Sequence, residues 1–179
     1  MPGTKDQIGE MIARGGVRTR DYAKQLLKDI RPADFARKPA LGAKAIDTNH
    51  PAWVYGHLSI YPARVLGMVG LAHQAVPNPP GFEDLFAMGK PCSDGSACAY
   101  PDMEKITTHF FAATDAALAA LPGVPDDVFA GPNPAEGRFR EMFPTVGSAA
   151  LFMLNNHPMM HLGQVSAWRR CMGLGPVMG

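Results

Sequence analysis

Apolar residues recur at helical spacing in four stretches of this chain. Between about Lys5 and Ile30, Ile8, Met11, Ile12, Tyr22, Leu26 and Ile30 fall near one face. Gly15-Gly16 interrupts that stripe at about 1 kcal/mol per glycine, which leaves one weakened helix or two shorter pieces. A second stretch opens at Asn49-His50-Pro51, with Asn49 as the capping residue and a proline in the first turn. It continues through Trp53, Val54, His57, Leu58, Tyr61, Val65 and Met68 to about His73. Pro62 has no N–H to bond back to Leu58, so a bend is predicted there. The third begins at Asp102, a candidate cap, and carries Ile106, Phe110, Ala113, Ala117 and Leu121 to the stop at Pro122-Gly123. The fourth follows Pro144-Thr145 and runs to about Cys171, with Arg169 and Arg170 in its last turn and Gly173 just beyond. Pro158 lies inside it and predicts a kink.

Val and Ile are sparse and no stretch alternates with period two, so a sheet is not expected. The predicted fold is all-α, a four-helix bundle formed by a single domain over residues 1–179. Arg31 to Thr48 is an ordinary reversal with a turn near Pro32-Ala33-Asp34-Phe35. Gln74 to Pro101 is far longer than the usual link between antiparallel neighbours and implies a crossover between helices two and three. Its Phe82, Leu85, Phe86, Met88 and Tyr100 suggest that it packs over the bundle and covers one end of a site.

Composition narrows the function classes. With 46% hydrophobic and 18% charged residues and a formal charge of +1, the chain has the balance of a globular protein and no basic stripe for nucleic acid. No run reaches the roughly 18 apolar residues of a membrane span, and the start Met1-Pro2-Gly3-Thr4-Lys5-Asp6 lacks the apolar core of a secretory signal. A cytoplasmic location is the expectation. Cys92, Cys98 and Cys171 show no C-x-x-C spacing. Free thiols are expected, with a Cys92–Cys98 loop disulfide as the alternative.

Chemistry concentrates in the fourth helix. His157, His161 and Gln164 stand at i, i+4 and i+7 on one face, and Ala150, Leu154 and Trp168 extend that face as an apolar stripe. Two buried imidazoles one turn apart cost free energy unless satisfied, and a divalent cation suits their lone pairs. A catalytic site needs a third ligand, for which His57 is the best placed, among Trp53, Val54, Leu58 and Tyr61. His50 reads as a capping or exposed residue, His73 as a helix-end residue and His109 as a flank. Gln164 reads as an outer hydrogen-bonding partner, since an amide oxygen rivals imidazole poorly for a borderline metal. Trp53 and Trp168 suit the core, with either able to wall a pocket, and the methionines suit adaptable packing.

Two distant anchors, Trp53-Val54-Tyr55-Gly56-His57-Leu58 and His157-x-x-x-His161-x-x-Gln164 with Arg170 and Gly173, resemble the DinB/YfiT-like family of metalloenzymes. Met88-Gly89-Lys90-Pro91 and Tyr100-Pro101 resemble that family's crossover, so the likeness spans nearly the whole chain. The resemblance implies an up-down-down-up bundle, a metal-binding triad of His57, His157 and His161, and frequent homodimers. Pro158 departs from the family pattern. No DNA activity follows from the family's name. Its members include thiol S-transferases using mycothiol or bacillithiol, a thiol-dependent maleylpyruvate isomerase and hydrolase-like proteins.

Imidazole suits Zn²⁺, Ni²⁺ and Fe²⁺ alike. A bound metal either acidifies water for hydrolysis of an ester or amide, or holds a low-molecular-weight thiol as the nucleophilic thiolate. Tyr61, Arg64 and Tyr100 are the candidates to contact a small-molecule substrate. Asp47, Glu83 and Asp84 lie outside the predicted helices, so no carboxylate offers itself as a general base beside the metal. That favours thiol transfer over hydrolysis; a metal or small-ligand binding module without catalysis is the third reading.

Overall fold

The apolar stripe of the first helix folds as one continuous element, α1 (Ile8–Leu26), in the computed structural model, which describes residues 7–95 and 99–177. Gly15-Gly16 does not divide it, because close approach of neighbouring elements offsets the glycine cost. A Cβ on Gly16 would meet the Leu118 side chain, and one on Gly15 would meet the Asn155 amide, which donates to the Ile12 carbonyl at 3.1 Å. Asp126 Oδ1 accepts from the backbone N–H groups of Gln7 and Ile8 at 3.0 and 2.9 Å and so caps the start. The helix stops at Leu26, short of Ile30, as Asp29 takes a left-handed φ of 62°.

A two-residue antiparallel pair, β1 (Ala40–Leu41) with β2 (Lys44–Ala45), lies in the reversal, and an isolated antiparallel bridge joins Pro132 to Thr145. The second predicted helix is two: α2 (Pro51–Ser59) and α3 (Tyr61–Met68), broken where Pro62 removes a backbone donor. His50, not Asn49, caps α2; its Nδ1 accepts from the Trp53 N–H at 3.2 Å. Every residue of α2 is buried, which makes it the central element. The crossover contains a short helix, α4 (Phe82–Phe86), whose two phenylalanines are buried, whereas Met88 stands 84% exposed.

α5 (Met103–Ala120) starts as predicted, with Asp102 Oδ1 accepting from the Lys105 N–H at 2.7 Å, and ends in a 3₁₀ turn at Leu121–Gly123. Two further short helices follow, α6 (Asp126–Ala130) and α7 (Gly137–Met142). The fourth predicted helix is α8 (Val146–Leu151), opened by a Thr145–Ser148 capping box, a π-helical turn at Phe152–Asn156, and α9 (His157–Cys171). Pro158 occupies the first turn of α9, where its missing N–H costs least.

The helices pack with α2 against α5 and α9, and α1 against α5 and α9. The predicted all-α class is correct. Arg169, 2% exposed, donates to the carbonyls of Leu26 and Lys28 at the end of α1 and of Leu174 and Gly175 after α9, so it serves the ends of two helices rather than only its own helix dipole. Among the described residues no helix is long and apolar enough to cross a membrane. Cys98, half of the alternative disulfide, lies outside the described residues.

Candidate metal centre

Three histidines from two elements meet in the interior. His57 comes from the buried α2; His157 and His161 come from the first turns of α9, immediately after the π turn. Each offers a ring nitrogen within 4.8 Å of the others, close enough for all three to bind one metal ion. His57 Nε2 and His157 Nε2 stand 3.2 Å apart. Nitrogens on a tetrahedral zinc at 2.0–2.1 Å would be about 3.3 Å apart, so this edge of the cluster has the size of the shell it would form.

Hydrogen bonds fix two of the three rings. His57 Nδ1–H donates to the Phe86 carbonyl at 2.7 Å, which reserves its Nε2 lone pair for the cluster. His161 Nδ1–H donates to Gln164 Oε1 at 3.0 Å, and that oxygen also accepts from Asn49 Nδ2 at 2.9 Å. Both rings therefore turn an acceptor nitrogen inward. His157 Nδ1 is buried and has no hydrogen-bond partner among the described residues; its ring stacks on Phe152 at 5.4 Å. Lone pairs converging in an apolar interior repel one another unless a cation or proton lies between them, and protonation is the harder route. Burial lowers the His57 pKa to about 4 against the opposing Phe86 carbonyl, and that of His157 to about 3, with the neighbouring rings adding to the effect. Burial also lowers His161. The donor set fits a divalent metal better than it fits protons.

Aromatic groups enclose the cluster. Trp53 stacks on His57 with 4.6 Å between centroids, and its buried indole N–H has no partner among the described residues. Tyr61 packs edge-on against His157 and places its hydroxyl 3.2 Å from His57 Nε2, where it donates; burial raises its pKa. Arg64 lies 5.2 Å from the Tyr61 ring centroid and pairs with Glu83 at 3.0 Å. Tyr100 is elsewhere: it packs on His50 and Phe86, accepts from the Ser93 N–H, and does not line the cavity beside the histidines.

The remaining histidines stay out of the cluster. His50 is fully buried, correcting the exposed alternative, and donates through Nε2–H to the Ser93 carbonyl at 2.8 Å, tying the crossover to α2. His109 is buried against Phe82 and within 3.2 Å of Asn78 Oδ1, so it is no flank residue. His73 is exposed. Beyond His157 opens a cavity of about 700 Å³ lined by Tyr61, Arg64, Phe152 and, from the unpredicted α7 region, Arg138, Phe139 and Phe143. Sequence reasoning also missed Phe86, which acts through its carbonyl, and the bond from Asn49 to Gln164.

No curated protein matches the chain. The family model of the DinB superfamily matches residues 17–165, a span that contains all three histidines, the crossover and the cavity wall, and this chain belongs to that superfamily.

Proposed function

We propose that the chain is a metal-dependent enzyme that transfers a low-molecular-weight thiol to an electrophilic small molecule. One observation carries the reading. His57 and His161 are locked by their outer hydrogen bonds with Nε2 facing inward, while His157 stands between them and an apolar cavity that no carboxylate lines among the described residues. Three imidazoles leave a position free on a four-coordinate ion, and the metal held there would keep a thiol sulfur ionised at neutral pH. Hydrolysis would also call for a general base beside the water, which this lining does not supply.

The chain's own groups account for the rest. Trp53 and Phe152 exclude water from the rings they stack on. Tyr61, kept protonated by burial, has a hydroxyl proton beside His57 Nε2 that is free to reach a substrate oxygen once a metal takes that lone pair. The transfer forms one sulfur–carbon bond, the thiol loses its proton, and the electrophile either expels a leaving group or takes up a proton on the adjacent atom.

Elemental analysis of protein made without a histidine tag, beside His57→Ala and His161→Ala, tests the site. About one divalent ion per chain is expected in the parent and none in either variant. Consumption of a thiol with an electrophile such as 1-chloro-2,4-dinitrobenzene tests the reaction. Cleavage of a nitrophenyl ester without any thiol would overturn thiol transfer in favour of hydrolysis. Bound metal with neither activity would leave a binding module.

A further inference from the structure

The cavity beside His157 has a composition that selects its occupant. At its inner end are His157 and Tyr61; toward solvent stand Met88 and Met142, 84% and 56% exposed. Between them runs an aromatic ladder. Phe139 lies 5.0 Å from Phe143, Phe143 stacks on Phe152 at 4.3 Å, and Phe152 stacks on His157. A volume of about 700 Å³ suits one small organic molecule, and a wall built of phenylalanine rings that brace one another suits an apolar ring packed against it.

Charge gives the second half of the identification. Two guanidiniums, Arg64 and Arg138, line the cavity, and no Asp or Glu does so among the described residues. Arg64 is already engaged by Glu83 and by the face of Tyr61. Arg138, exposed on α7, makes no ion pair or hydrogen bond among the described residues, and it flanks Phe139 on the same short helix. An uncommitted guanidinium at the edge of an aromatic slot recognises a carboxylate, which its planar fork can meet with two parallel hydrogen bonds.

We propose that this cavity takes a flat, apolar carboxylic acid, with its ring among Phe139, Phe143 and Phe152 and its carboxylate on Arg138. An acid of this shape that also carries an electrophilic carbon on its ring or side chain, away from the carboxylate, is the substrate class presented to the histidine cluster. The assignment rests on the reading of that cluster as a small-molecule reaction site, but its binding half is measurable without metal or thiol.

The test is calorimetric titration of metal-stripped protein with 2-naphthoate and with its neutral analogue 2-naphthalenemethanol. The acid should bind at least about tenfold tighter, and Arg138→Ala should erase that preference while leaving the alcohol's affinity unchanged. Phe139→Ala should weaken both ligands. The same preference should persist in His161→Ala, so that failure of metal binding or of thiol transfer leaves the ligand assignment standing. Equal binding of acid and alcohol, a preference that survives Arg138→Ala, or no binding of either overturns it. Thiol transfer to neutral electrophiles alone, with no binding of the acid, would overturn it while sparing the proposed reaction.

Discussion

His57 and His161 differ from His157 in what holds them. The first two spend Nδ1–H on outer acceptors, the Phe86 carbonyl and Gln164 Oε1, so their orientation is set by hydrogen bonds before any ligand arrives. His157 has no such acceptor; packing against Phe152 and Tyr61 and its place after the π turn set its ring. The anchored side is built for fixed geometry and the cavity side for access. The pKa values carry the same contrast. The Phe86 carbonyl works against the burial that lowers His57, whereas every influence on His157 lowers it further.

Removing a ring should erase the contrast and produce the largest effect. His57→Ala, His161→Ala and His157→Ala are each expected to weaken metal binding beyond the roughly 10–100-fold that an outer partner is worth, read by competition with a chromogenic chelator. A His157→Ala variant that kept near-parental affinity would show that the anchored pair holds the ion alone. Removing an outer partner should then separate the sides. Gln164→Leu is expected to cost about 10–100-fold in metal affinity. Phe152→Leu should leave that affinity within a few-fold and instead weaken naphthoate. Equal metal losses in the two variants would mean that stacking orients a ligand as firmly as a hydrogen bond does.

The anchored side was readable only in part from residue types. His157, His161 and Gln164 share a face of α9 as their spacing requires, and His57 stands out as the one histidine inside a wholly apolar helical segment. The acceptor for His57 is a backbone carbonyl, which has no residue signature; the buried Phe82 and Phe86 announced only that the crossover packs down. Asn49 was legible as a cap, yet His50 takes that role and leaves the Asn49 amide free for Gln164. Most of the cavity side was hidden. Ala150, Leu154 and Trp168 are buried, as the apolar stripe requires, but a π turn advances each residue by less than an α-helix does, so α-helical spacing did not foretell that Phe152 meets the ring of His157. Pro158 signalled a kink without its kind. The helix α7 spans six residues, too few for a periodic stripe, and none of them is buried, so its part in the cavity wall depends on the neighbours it meets.

Acid should act on both sides through one sign. The folded-state pKa values of His57 and His157, about 4 and about 3, lie below the unfolded reference of 6.5. Between these limits the unfolded chain binds more protons, so stability is full above pH 6.5 and falls as the pH drops through that window. Urea unfolding of metal-stripped protein should show a loss on the order of 2 kcal/mol for each of these two rings from pH 7 to pH 5. The loss should shrink in His157→Phe. A flat profile would mean that the metal-free rings are solvated, and the cluster would then be formed by the ion rather than waiting for it.

The smallest expected effect reaches furthest into the anchored side. Asn49 donates to the same Gln164 oxygen that accepts from His161, so it decides which end of the amide faces the ring. With Asn49→Ala, Gln164 keeps its bond to His161 but loses the group that penalises a flipped amide, which would set N–H against N–H. A loss of a few-fold in metal affinity is expected, in line with one neutral hydrogen bond of about 1 kcal/mol. The discriminating measurement is the double variant. If Asn49 acts only by orienting Gln164, Asn49→Ala adds nothing once Gln164→Leu is in place, and the two effects fail to sum. Additive losses would give Asn49 a separate hold on the site, most directly through the neighbouring His50 cap and the entry into the helix that carries His57.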